Sequence, residues 1–256
     1  MEGLGRRGNA IVSTVEPPPL PHSLQLDGFK ECCPFAGPGR IPAFLKPFPA
    51  AESSQMEHVD LAMVLAVDGS ASVTYDEFGL IAGGMAAALR DPAVVAGLSG
   101  SSILSLLLWS GAGQQDVITG WTRIASADDL RTFADGVDNM PRTVMAGATA
   151  IGEALLTALS LLTQVPAVPT HSIVNVIGDG RSNAGIAPGP IRDRMASAGI
   201  TINGLCILHE EPDLLKSYTE EVIGGPGAFA IICRVYADFA DAMRQKLTRE
   251  IKAPTV

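Results

Sequence analysis

The segment Val64-Leu65-Ala66-Val67-Asp68-Gly69-Ser70-Ala71-Ser72 constrains this chain more than any other. An uninterrupted apolar run of this kind reads as a strand buried on both faces, and its polar end must lie at the edge of a sheet. That edge is where open α/β proteins place their ligands. Asp-x-Ser-x-Ser sets one carboxylate and two hydroxyls on alternate residues. Several oxygens can then turn toward one point, which is the chemistry a hard divalent cation requires.

Apolar strand-like runs alternate with helix-like stretches from residue 60 onward. Strands are expected over 60–67, 103–109, 116–122, 172–177, 200–208 and 228–233, and helices over 74–90, 128–137, 149–162, 190–198, 213–222 and 238–251. Thr74 and Glu77 stand at capping-box spacing ahead of the first helix. The 116–122 strand follows Gly111-Ala112-Gly113 and is expected to hairpin back as an antiparallel edge. Such regular alternation implies a doubly wound α/β fold, with a mostly parallel sheet, one short antiparallel edge strand and helices on both faces. Residues 1–57 are proline-rich and follow neither period. They read as a poorly ordered leader that folding does not need, and 58–256 as the domain.

Composition removes several classes of function. Apolar residues make up 47% and charged ones 18%, as in a packed globular protein. With 18 Lys and Arg against 27 Asp and Glu, the net charge is -9. A chain this acidic, with no basic cluster, has no electrostatic reason to bind nucleic acid or an anionic membrane. No apolar stretch reaches the roughly 18 residues that span a bilayer. After Arg6 and Arg7 no apolar core of a secretory signal follows, so the sequence leaves localisation open. The four cysteines fit no zinc spacing. Cys32 and Cys33 are adjacent and poorly placed to bridge each other, while Cys206 and Cys233 read as buried hydrophobes. His22, His58, His171 and His209 form no i, i+4 pair.

Two distant segments carry oxygens to match the first motif: Thr149 in Gly147-Ala148-Thr149-Ala150-Ile151-Gly152, and Asp179 in Gly178-Asp179-Gly180. In a doubly wound sheet the strands ending at Asp68 and Asp179 would be neighbours where strand order reverses, so both acids would converge on one crevice. Each segment alone has an ordinary reading: a turn for Asp68-Gly69, a helix N-cap for Thr149, a turn for Asp179-Gly180. All three in this order on these elements favour a metal site.

Asp68-x-Ser70-x-Ser72, Thr149 and Asp179 together resemble the metal-ion-dependent adhesion site of the von Willebrand factor A domain. The resemblance covers about residues 57–256. Arg90-Asp91-Pro92, Gly-x-Thr-Ala-Ile-Gly, Gly-Asp-Gly, Ile-Thr-Ile-Asn-Gly-Leu and Ile-Gly-Gly-Pro-Gly-Ala-Phe are more specifically similar to a bacterial branch of that superfamily without assigned function, domain of unknown function 1194. Members of that branch usually begin with an export signal, and the leader here departs from that pattern. The resemblance implies that Ser70 and Ser72 bind a metal directly, and that Thr149, Asp68 and Asp179 bind it directly or through water. One position would remain for a carboxylate from a protein partner. An all-oxygen set favours Mg²⁺, Mn²⁺ or Ca²⁺ over Zn²⁺.

Two rivals stand beside this reading. Gly178-Asp179-Gly180-Arg181-Ser182-Asn183 resembles the metal motif of haloacid dehalogenase phosphatases, which would use Asp68 and Asp179. Their general acid, however, sits two residues after the nucleophile, where this chain has Ser70. A serine hydrolase is disfavoured because Leu108 replaces the first glycine of a nucleophile elbow before Trp109-Ser110-Gly111. The second rival is a scaffold domain without metal. The sequence therefore points to a non-enzymatic module that captures an acidic group of a partner through a bound cation.

Overall fold

The computed structural model describes residues 56–209 and 211–252. The elements run β1 (His58–Asp68), α1 (Tyr75–Leu89), α2 (Pro92–Leu98), β2 (Ser102–Trp109), β3 (Gln115–Ile124), α3 (Ala127–Asp138), α4 (Ile151–Thr163), β4 (Val168–Gly178), α5 (Pro188–Ser197), β5 (Thr201–Ile207), α6 (Leu214–Ser217), β6 (Ala230–Cys233) and α7 (Phe239–Ile251). The sheet order is β3-β2-β1-β4-β5-β6, with every pair parallel except β2 and β3. The expected α/β architecture with its antiparallel edge is therefore the one observed. The expectation of a leader over 1–57, and Cys32, Cys33 and His22 within it, lie outside the described residues.

Side chains of β1 alternate between two cores, as the pleat requires. Met63, Leu65 and Val67 pack toward α1, α3 and α7, whereas Ala62, Val64 and Ala66 pack toward α4 and α5. Both sets are fully buried. A strand covered on both sides has no polar face, which is why this stretch reads as a continuous apolar run. Truncating Leu65 to Ala would cost about 2–5 kcal/mol.

The first helix starts where its capping residues dictate. Thr74 Oγ1 accepts from the Glu77 amide at 3.3 Å, and Glu77 Oε2 accepts from the Thr74 amide at 2.8 Å. Ser126 and Asp129 repeat the device at α3. Helix α2 was not expected, although Asp91 caps it and Pro92 occupies its first turn, a recognisable start signal. No single described helix is long and apolar enough to cross a membrane.

Three elements differ from expectation for identifiable reasons. Strand β3 extends to Ile124 because the irregularities opposite Leu104–Leu107 absorb its mismatched register and pairing resumes beyond them. Strand β4 begins at Val168 despite Pro169. Over that stretch it pairs with β1 alone, since β5 joins only at Ile173, so the missing N–H removes no rung on the open side. The helix expected over 213–222 is one α turn followed by a π-helical turn, Tyr218–Val222. Cys206 and Cys233 are free and buried, as expected, and burial pushes their thiols up to about 12 and about 11.

Candidate metal centre

Strand order reverses between β1 and β4, and the carboxyl ends of these two neighbours open one crevice. The register pairs Val67 with Ile177, so Asp68 and Asp179 emerge side by side just past it. Gly69 continues the ladder through its amide to the Trp109 carbonyl at 2.7 Å. A Cβ there would lie 2.8 Å from Val144 Cγ2. Beyond this glycine the chain turns, and the Ser70 amide donates to Asp68 Oδ1 at 2.7 Å. Ser70 Oγ and Ser72 Oγ are 3.1 Å apart, and Ser72 Oγ donates to Asp179 Oδ1 at 2.6 Å. Asp68, Ser70, Ser72 and Asp179 thus form one connected set.

Thr149 stands on a third loop. Helix α4 starts only at Ile151, with Ala150 at its N-cap and no side-chain cap, so Thr149 does not serve the helix. The expected helix start at residue 149 is corrected by two residues, and the ordinary N-cap reading of Thr149 falls with it. Its amide donates to Asn183 Oδ1 at 2.8 Å, and its carbonyl accepts from the Asn183 amide at 2.9 Å. The Thr149 loop and the segment after Asp179 are thereby clasped together. A Cβ on Gly180 would meet Thr149 Oγ1 at 3.6 Å, so the hydroxyl faces the backbone beside Asp179. The first loop joins this body through the Ala71 amide, which donates to the Gly147 carbonyl at 2.9 Å. The structure therefore gathers all five residues proposed from sequence at one crevice.

Electrostatics make the cluster uncomfortable by itself. Asp68, Ser70 and Asp179 are fully buried and Thr149 is 4% exposed. Asp68 Oδ2 has no hydrogen-bond partner. Burial first, and the neighbouring Asp179 charge second, push the Asp68 carboxyl up to about 7 against the pull of Ser70. A Cβ on Gly178 would come within 2.9 Å of both Asp68 Oδ2 and the Tyr218 hydroxyl, so only glycine leaves this niche its shape. The Tyr218 hydroxyl is also buried without a partner, and burial raises its pKa. An orphaned carboxylate oxygen amid hydroxyl donors suits a hard cation. Among the described residues no three His, Cys, Asp or Glu cluster as metal ligands.

Four nearby residues escaped the sequence reading. The Arg142 guanidinium donates to the Gly69 carbonyl at 2.9 Å and the Ser70 carbonyl at 2.6 Å, and lies 5.3 Å from the Tyr75 ring centroid. Asn183 was visible only as the last residue of a Gly-Asp-Gly-x-x-Asn pattern. Tyr218 and Tyr236 carried no signal, because they arrive from segments far along the chain. Tyr236 donates to Asp179 Oδ2 at 2.9 Å.

Comparisons with known proteins agree with this fold. Residues 58–255 match the model of a family described as a protein of unknown function, DUF1194. No curated protein sequence matches the chain. Among solved structures it is similar to a von Willebrand factor type A protein from Catenulispora acidiphila, at 16% identity and a TM-score of 0.54 over 75% of this chain and 43% of that one. It also resembles proximal thread matrix protein 1 of the mussel byssus with a zinc-occupied MIDAS motif, at 16% identity and TM-score 0.54, covering 77% and 48%. The von Willebrand factor domain of the type V pilus tip protein Mfa5 from Porphyromonas gingivalis gives 11% identity and 0.51, covering 77% and 98%. The chain spans less than half the length of the first two. With the match running across the whole α/β domain and the sheet and crevice in place, this chain belongs to the DUF1194 family, built on the von Willebrand factor A fold.

Proposed function

We propose that this protein is a divalent-cation-dependent protein-binding module. Asp68, Ser70, Ser72, Thr149 and Asp179 would hold Mg²⁺, with Mn²⁺ or Ca²⁺ as substitutes, and the ion would capture a carboxylate presented by a partner. The observation that carries this reading is the linked set Asp68, Ser70, Ser72 and Asp179 from two loops, with Asp68 Oδ2 buried and unpartnered among them and the Thr149 loop clasped to the segment after Asp179 through Asn183. Three of the five donors would be neutral hydroxyls, which donate weakly and keep the dication an acceptor for an external anion. The zinc-occupied motif of the byssal neighbour supports a divalent ion at the corresponding crevice of the fold. The donors here are hard oxygens, so Mg²⁺ is the ion proposed.

The reading is non-enzymatic. A phosphatase would need Asp68 as nucleophile, yet Asp68 is fully buried and its Oδ1 is held by the Ser70 amide. Ser70, where that mechanism requires an acid, carries a hydroxyl far too weakly acidic to protonate a leaving group.

Isothermal titration calorimetry with Mg²⁺ and Mn²⁺ tests the site, with one ion per chain expected. Thr149→Ala and Ser70→Ala should each weaken binding about 10-fold or more while the circular dichroism spectrum is unchanged. A partner retained on the immobilised protein in Mg²⁺ should elute with chelator. Equal retention in chelator would place the interface elsewhere and reject the capture mechanism.

A further inference from the structure

Asp179 is held from two sides by hydroxyls of different standing. Ser72, which donates to Oδ1, belongs to the proposed donor set, whereas Tyr236, which donates to Oδ2, does not. Tyr236 opens a short 3-10 turn, Tyr236–Asp238, that leads into α7. It is 6% exposed, and the His209 ring packs edge-on against it with centroids 5.8 Å apart. A buried phenol needs some acceptor, and a backbone carbonyl would serve. Its acceptor here is instead one of the two carboxylates of the crevice.

We propose that Tyr236 is a positioning residue that sets how much negative charge Asp179 presents to the cation, an inference that rests on the metal reading above. Each O–H donated to a carboxylate draws charge away from it, and at Asp179 both oxygens are so engaged. Asp68 differs, since Oδ1 takes the Ser70 amide and Oδ2 takes nothing. The two acids are therefore unequal. Asp68 keeps an oxygen free for the ion, while Asp179 balances charge from a fixed orientation as a weakened donor. Weak donation from the protein leaves the ion a stronger acceptor for an external carboxylate.

Removing the Tyr236 hydroxyl should move two affinities in opposite directions. Asp179 Oδ2 would lose its donor and hold an uncompensated buried charge, which a bound cation relieves. The ion would bind more tightly and, being better neutralised, would bind an added carboxylate less tightly. A residue that only supports the fold would weaken both together.

The test uses Mn²⁺ as the ion and acetate as the carboxylate, comparing the intact protein with Tyr236→Phe. Free Mn²⁺ is counted by electron paramagnetic resonance, and acetate binding is followed through water proton relaxation at the bound ion. The expected result is a Mn²⁺ Kd lower by about three- to tenfold, part of the worth of a hydrogen bond to a charged group, with an acetate Kd higher by a similar factor. On an Asp179→Asn background, where there is no charge to set, Tyr236→Phe should leave the Mn²⁺ Kd unchanged. Parallel weakening of both affinities, no change in either, or the same effect on the Asp179→Asn background would overturn the inference alone. Failure of the unaltered protein to bind Mn²⁺ would reject the metal site and this inference with it.

Discussion

Among the described residues charge is buried in two places, and the contrast between them explains why one place is a candidate site. On the α7 face of the sheet, Glu250 Oε1 accepts from Asn203 Nδ2 at 2.7 Å and Oε2 from Asn175 Nδ2 at 3.1 Å, while Lys246 donates to both Glu250 and Asn175. Phe229 lies against Lys246 and Arg249, with the Arg249 guanidinium 3.8 Å from its centroid. None of these polar atoms lacks a partner. Burial pulls the Lys246 ammonium below its usual range, and Glu250 opposes that pull. At the crevice, by contrast, two acids face each other, one oxygen is orphaned, and Arg142, whose charge bears on Asp68, donates to the Gly69 and Ser70 carbonyls rather than to either carboxylate. The first cluster carries its own cation; the second has the composition of one that takes its cation from outside.

Breaking the self-sufficient cluster should have the largest effect. Lys246→Met would strand Glu250 and cost about 3–5 kcal/mol, whether or not Mg²⁺ is present. Urea denaturation in Mg²⁺ and in chelator should give the same loss. A loss that Mg²⁺ reverses would show that the two clusters are not independent.

The crevice should respond to the ion instead. Mg²⁺ at a hundred times its Kd should stabilise the unaltered protein by about 2.7 kcal/mol, and at the same Mg²⁺ concentration Asp179→Asn should reduce that gain without lowering stability in chelator. Melting curves under both conditions decide this. Equal destabilisation in both would make Asp179 structural, like Glu250.

Acidity offers a third way to separate the clusters. The folded state holds the Asp68 proton up to about pH 7, well above the ordinary carboxyl value of 3.8. A raised carboxyl pKa means that the folded chain binds a proton the unfolded chain has already released. This contribution to stability in chelator is therefore complete near pH 4 and is lost as pH rises toward 7. Asp68→Asn should flatten that slope. Mg²⁺ binding should weaken about tenfold per pH unit below 7, because the ion displaces the proton. Calorimetry across pH 5–8 showing a flat affinity would rule out Asp68 as a ligand.

The smallest effect belongs to exposed charge. Arg90 pairs with Asp135 at 2.6 Å and with Asp138 at 3.1 Å, with its side chain 36% exposed. Asp135→Asn should cost no more than about 0.2–1 kcal/mol and fade with added salt, because water compensates whichever partner remains. A loss as large as that of Lys246→Met would break the argument that burial, not pairing, sets these magnitudes.

Much of the fold was legible in the sequence because the signals are local. The double-faced burial of β1 writes itself as an apolar run, Thr74 and Glu77 announce α1, and Gly111 and Gly113 precede β3. Asp68, Ser70, Ser72, Thr149 and Asp179 could be proposed because each sits where a strand or loop ends, a position that pattern alone locates. Helix α2 was also legible, in Asp91-Pro92, but its seven residues carry too short a period to stand out. Other features depend on approach in space. Thr149 was freed from capping only by α4 starting two residues later, and Asn183 gained meaning only through its two bonds to the Thr149 backbone. Lys246 and Glu250 stand four apart on a helix, a spacing usually solvated, until α7 lays them over Asn175 and Asn203. Tyr236 reaches Asp179 across 57 residues, and no local pattern can encode a contact that the packing of α7 against the sheet creates. The sequence by itself determined that Asp68 and Asp179 stand at the carboxyl ends of neighbouring strands, since strand period and strand ends are local properties of the chain. Only the tertiary structure decided which of their oxygens are already satisfied, because hydrogen-bond partners and desolvation depend on what the rest of the chain brings to them.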